Sequence, residues 1–180
     1  MRYDELPTYD RAGDFHVVVE SPAGSRIKLK YEPELESFTV ERPLVLGVSY
    51  PFDWGFVPST RAPDGDPLDA MVLLEASTFP GVVLTCRPLG VVRITQKGTK
   101  GRERNDRVIA MPVKSRRFDG VRDARDLPRR TREEIEQFFL TAVLLEGKGV
   151  KLKGWDGPKA AKRVIDSAAT AYQQADSKRG

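Results

Sequence analysis

The sequence predicts an α+β fold, a small β-barrel with two helices packed beside it. Between residues 15 and 113, short β-branched or alternating runs are separated by Gly- and Pro-containing turns, as in a small barrel. Beyond residue 127 the apolar spacing changes to that of helices. The length of 180 residues suits a single domain, 1–180, with a sizeable core.

The elements follow in order. Phe15–Glu20 is a short apolar run. Arg26–Glu32 alternates, with Ile27, Leu29 and Tyr31 on one face and Lys28, Lys30 and Glu32 on the other. Ser37–Pro43 follows a turn. Ala70–Glu75, Val82–Thr95 and Arg107–Val113 are rich in β-branched residues, and Pro88 with Gly90 predicts a bend or bulge in the long strand. Thr131-Arg132-Glu133-Glu134 reads as a capping box, and Ile135, Phe138, Phe139, Ala142, Val143 and Leu145 form a helical stripe ended by Gly147. Val150–Trp155 is a further strand. Asp156 is the expected cap of a last helix, with Ala160, Ala161, Val164, Ile165, Ala168, Ala169 and Tyr172 as its buried face, and Ser177–Gly180 is expected to fray.

Apolar residues make up 39% and charged residues 31%, a soluble globular composition. One cysteine, Cys86, excludes an internal disulfide framework. The start of the chain lacks the apolar core of a signal peptide, and no run reaches membrane-spanning length. A cytoplasmic protein is the expectation. A net charge of +4 suits an anionic partner without naming it.

The chemistry concentrates in Asp64-Gly65-Asp66-Pro67-Leu68-Asp69. Two carboxylates about 4 Å apart repel by roughly 1 kcal/mol in water and about 4 kcal/mol near a protein surface. Three gathered together call for a cation, and hard oxygen donors select Mg²⁺, Mn²⁺ or Ca²⁺ over zinc. A solvated turn is the plain alternative. An EF-hand is excluded, because its sixth position is Asp69 where Gly is needed and a strand follows instead of a helix. Other polar residues can converge on this loop: Glu20, Lys30, Glu32, Arg42, Tyr50 and Trp54, the last two in the loop before it. Each taken alone also reads as a surface charge or a core aromatic. The lone His16 reads as a packing residue.

In that order, Glu20, Lys30-Tyr31-Glu32, Arg42, Tyr50-Pro51-Phe52-Asp53-Trp54-Gly55-Phe56 and the D-G-D-P-L-D loop resemble the soluble family I inorganic pyrophosphatases. Cys86-Arg87-Pro88-Leu89-Gly90-Val91 and Val150-Lys151-Leu152-Lys153-Gly154-Trp155 extend the likeness over about residues 14 to 175. The resemblance implies an OB-like five-stranded barrel with two flanking α-helices. It implies Mg²⁺-dependent hydrolysis of diphosphate to two phosphates, and a homo-oligomer, commonly a hexamer. By position, Asp64 and Asp69 are implied metal ligands, and Asp66 bridges to the attacking water and takes its proton. Lys30 and Arg42 hold phosphate oxygens, Glu20 holds a metal or its water, and Glu32 lies close to the reaction.

The sequence also departs from that pattern. Gln96 stands at an expected Asp, and an Asp-x-Lys pair falls on Asn105 and Arg107. Asn105 then offers a neutral oxygen to metal and Arg107 a phosphate contact. Asp106 is one residue off and would serve as a ligand only if a bulge turned it back. Trp54 replaces a tyrosine, leaving an indole N–H for substrate, and Ala142-Val143 replaces a Tyr-Lys pair. Two alternatives therefore stay open: a degenerate relative acting on another phosphoanhydride, and a non-catalytic OB-like module binding phosphate or nucleic acid. The carboxylate loop weighs against nucleic acid.

Overall fold

The computed structural model describes residues 1–98, 101–116 and 120–177; the expected fraying of 178–180, and Thr99 and Lys100 of the basic 96–107 stretch, lie outside them. Among the described residues there are nine strands: β1 Phe15–Ser21, β2 Ile27–Glu32, β3 Ser37–Pro43, β4 Asp53–Val57, β5 Leu68–Val72, β6 Val83–Gly98, β7 Gly101–Arg104, β8 Arg107–Pro112 and β9 Lys151–Asp156. Two helices, α1 Arg129–Thr141 and α2 Pro158–Asp176, complete the fold.

Pairing in the order β1-β4-β5-β8-β6, with β6 returning to β1, closes a ring of five strands. Among the strand pairs of the described residues, only β5–β8 is parallel. This is the expected OB-like barrel, whose closure removes exposed sheet edges. The register slips between Pro88 and Gly90, so the anticipated bulge in β6 is present. A Cβ on Gly90 would sit 2.4 Å from the Asp156 carbonyl oxygen, which is why the crossing of β6 and β9 requires glycine.

The period of two sorts the barrel side chains between the helices. Met71, Leu73, Ile109 and Met111 pack with Ile135, Phe138 and Phe139 of α1. Ala70, Val72, Val108 and Ala110 pack with Ala161, Ile165 and Ala168 of α2. Strands buried on both sides read as continuous apolar runs, as these do. The β2–β3 pair forms a separate ribbon. It is joined to the barrel by a small cluster of Val18, Tyr31 and Phe56.

Several expectations need correction. Residues 53–57, expected as loop, form β4, paired on both sides with β1 and β5. Beyond the expected end at Thr95, β6 continues through Gly98 and pairs there with β7. Helix α1 begins at Arg129 after Pro128, so Thr131 lies inside it and caps nothing. Ion pairs Arg129–Glu133 and Arg130–Glu134, each at 2.7 Å, occupy that first stretch instead. The helix stops at Thr141, and Gly147, at φ 64°, ends a separate 3₁₀ turn over Leu144–Glu146. Leu145 is exposed, outside any buried stripe. Gly157 occupies the cap of α2, while Asp156 pairs with Arg93 at 3.0 Å. Among the described residues, no helix is long and apolar enough to cross a membrane.

Candidate active site

The D-G-D-P-L-D loop leads into β5. Its turn is tied by Ala62 N–H to the Asp66 carbonyl at 2.8 Å and Gly65 N–H to the Ala62 carbonyl at 2.9 Å. Gly65 has φ 94°, a left-handed conformation that glycine adopts without strain. Asp69, on β5, opposes Phe56 of β4, so the unexpected strand sets its position.

Three carboxylates do not converge on one point: no group of three potential ligand residues is gathered among the described residues. Asp64 accepts the Asp66 N–H at 3.3 Å. Burial first, then the charge of Asp69, holds the Asp64 carboxyl above its ordinary pKa. Asp66 lies 3.5 Å from Lys30 Nζ of the ribbon. Burial opposes the Lys30 charge, but Asp66, with Glu32 and Glu41, outweighs it and raises the pKa. Glu32 therefore shares the Lys30 face, as the alternation required.

Asp69 is engaged by Arg107, whose same Nη1 also donates to the Asn105 side-chain oxygen. The guanidinium lies 5.4 Å from the centre of the Trp54 ring. Arg107, expected as a phosphate contact, is thus committed to Asp69, Asn105 and Trp54. Asp106 is not a member of this group. Its carboxylate instead accepts the Ile94 N–H at 3.1 Å and pairs with Arg104.

Glu20 closes the inner side. Only 7% exposed, it accepts the Tyr31 N–H at 2.8 Å. Burial, helped by the charge of Asp69 and opposed by the Tyr31 N–H, Lys28 and Lys30, lifts its pKa to about 8. Arg42 donates to the Ala142 carbonyl at 3.0 Å and lies 3.5 Å from Glu146. It meets the last turn of α1, where carbonyls attract a cation. The Tyr50 ring packs 4.8 Å from Phe138 and 6.1 Å from Trp54, and burial pushes its phenol pKa up. The Trp54 indole N–H is buried and has no hydrogen-bond partner among the described residues.

A buried donor left unpaired costs roughly 1–3 kcal/mol, so a polar acceptor facing Trp54 would be stabilising. The donor set of Asp64, Asp66, Asp69 and Asn105 is entirely hard oxygen. With the Asp64 carboxyl disfavoured as an anion by burial and then by Asp69, and with Asp69 and Asn105 bridged by a guanidinium cation, the set fits a hard divalent cation in kind.

Sequence reasoning missed two contributors. Asp53, 1% exposed, accepts the Ala23 N–H at 2.8 Å and the Thr78 hydroxyl at 2.6 Å, pinning the loops beside β4. The Ala142 carbonyl holding Arg42 is backbone, which no side-chain motif reveals.

Barrel, ribbon and opposed charges define the class: an α+β protein of the OB-like barrel type whose acidic loop is faced by cations. The family model for inorganic pyrophosphatase matches residues 17–173. An inorganic pyrophosphatase of Synechocystis is 34% identical over 96% of this chain and all of its own length. One from Haloferax volcanii is 38% identical over 96% of each chain. The crystal structure of the Thermus thermophilus inorganic pyrophosphatase superposes with a TM-score of 0.88 at 36% identity, covering 96% of this chain and 99% of that one. The chain belongs to the inorganic pyrophosphatase family.

Proposed function

We propose that the protein hydrolyses inorganic diphosphate to two phosphates with Mg²⁺, working as one domain. The observation that carries this reading is the Lys30–Asp66 approach of 3.5 Å, which sets an anion-holding cation beside a proton acceptor. Family membership supports the substrate.

Asp64, Asp66 and Asp69, with Asn105, would hold the metal, and Glu20 would hold a metal or its water. Bound Mg²⁺ polarises phosphoryl oxygens and makes water a better nucleophile. Lys30 holds a phosphate oxygen as a point charge, and Arg42 and the Trp54 N–H offer directed donors. Water attacks one phosphorus, its proton passes to Asp66, and the bridging P–O bond breaks to release the second phosphate. Asp66 first, and Glu32 after it, favour the charged form of Lys30 beside the reacting group.

A cytoplasmic homo-oligomer, a hexamer by the resemblance, is part of the same reading, with neither membrane nor nucleic acid as a partner. The test is phosphate release from diphosphate with and without Mg²⁺, beside Asp66→Ala. Metal-dependent release lost in the variant is expected; release equal in both proteins would overturn the assignment.

A further inference from the structure

A cavity of about 1190 Å³ lies between α2 and the corner formed by β6, β9 and residues 104–106. It exists because the helix lines it with small side chains: Ala160, Val164, Ser167, Ala171 and Ala175. Its rim carries five cations, Arg61, Arg93, Arg104, Lys153 and Arg163, against two carboxylates, Asp106 and Asp156. Arg104 is paired with Asp106, and Arg93 with Asp156. Arg61, Lys153 and Arg163 make no ion pair among the described residues, although three like charges around one cleft repel.

Concave walls concentrate such a field, and arginine forks match phosphate oxygens. The volume exceeds what diphosphate fills and stands at the upper end of small-molecule sites. The apolar helix wall gives a bound anion's non-phosphate portion a surface to cover. Asn105, one of the candidate metal donors, lines this cleft, while Lys30, Arg42 and Asp66 do not, so it adjoins the catalytic face without containing the groups that hold substrate.

The two nevertheless share a wall. Arg61 N–H donates to the Ala168 carbonyl of α2 at 2.9 Å, and the next residue, Ala62, is bonded to the turn that carries Asp64 and Asp66. We propose that this cleft is a second anion site, for a polyphosphorylated small molecule with an apolar group, backed against the aspartate turn.

The test is calorimetric titration of the full chain, in chelator, with tripolyphosphate and with adenosine triphosphate. Wild type is compared with Lys153→Glu/Arg163→Glu in the cleft and Lys30→Gln/Arg42→Gln on the catalytic face. Both probes are expected to bind wild type and the catalytic-face variant alike, the nucleotide more tightly, and the cleft variant at least tenfold more weakly. Binding lost only in the catalytic-face variant, or absent from wild type, would overturn the proposal. So would a change in molecular mass of the cleft variant, which would make the cleft a subunit contact. Equal affinity for the two probes would remove the apolar group from the assignment. The hydrolysis reading is judged apart, by metal-dependent phosphate release.

Discussion

Replacing Glu20 by glutamine should make the metal-free protein more stable at alkaline pH. The carboxyl has a folded pKa of about 8 against an ordinary 4.5, with burial as the main cause. At about 1.36 kcal/mol per pH unit, the two protonation states differ by at most about 5 kcal/mol. The sign follows from proton binding. Below about pH 4.5 both folded and unfolded chains hold the proton, and the stabilisation is fully present. Between about 4.5 and 8 the unfolded chain releases it while the folded one keeps it, so stability falls as pH rises. Above about 8 the folded carboxyl ionises and the loss is complete. Glutamine stays neutral throughout and can still accept the Tyr31 N–H. Thermal unfolding in chelator at pH 5, 7 and 9, at one protein concentration, measures the difference. Wild type should lose up to roughly 10–20 °C relative to Glu20→Gln across that range. Parallel pH curves for the two proteins would show that the buried carboxyl is not the titrating group and would refute the reasoning.

Two further outcomes are expected. Asn105→Asp adds a charge beside Asp69, worth about 1–4 kcal/mol of attraction per unit cation charge at about 4 Å; Mg²⁺ should bind at least about tenfold more tightly by calorimetry without substrate, and unchanged affinity would place residue 105 outside the metal's reach. Gly55→Ala would set a Cβ 1.9 Å from the Val18 carbonyl oxygen between β1 and β4; a loss of at least about 3 kcal/mol is expected by urea unfolding, and a near-native midpoint would contradict the close approach.

The same crowding explains why β4 was hard to foresee. Pro51, Asp53 and Gly55 punctuate that stretch like a loop, yet the glycine is there because two strands press together. By contrast the apolar runs of β5 and β8 were evident, since alternate residues of 70–73 and 108–111 serve two different helices and each of those positions is apolar. The start of α1 was obscured because Thr131 mimics a cap while Pro128 and two arginine–glutamate pairs set the true beginning. In the site, the aspartate loop, Glu20 and Lys30 were legible as charged letters at fixed spacing. The burial that neutralises Glu20 was not, because it arises in the tertiary fold, where β1 lies beside the ribbon that carries the Tyr31 N–H. Nor was the Arg42 link to Ala142, which spans 100 positions and ends on backbone.

The β2–β3 ribbon has one more consequence. It carries Lys30 and Arg42 but, among the described residues, pairs with no barrel strand. Its ties to the barrel strands include the Val18–Tyr31–Phe56 cluster, the Glu20 bond to Tyr31 and the Ser21 hydroxyl accepting the Leu29 N–H at 2.9 Å, and Lys30 and Arg42 add side-chain links to Asp66 and Ala142. Such a piece opens and recloses as its own cooperative unit, so its amides should exchange with solvent ahead of those of β5 and β8. It is also a module in the evolutionary sense. The hand that grips the anion can be exchanged residue by residue while the barrel that carries the aspartates goes on folding as before.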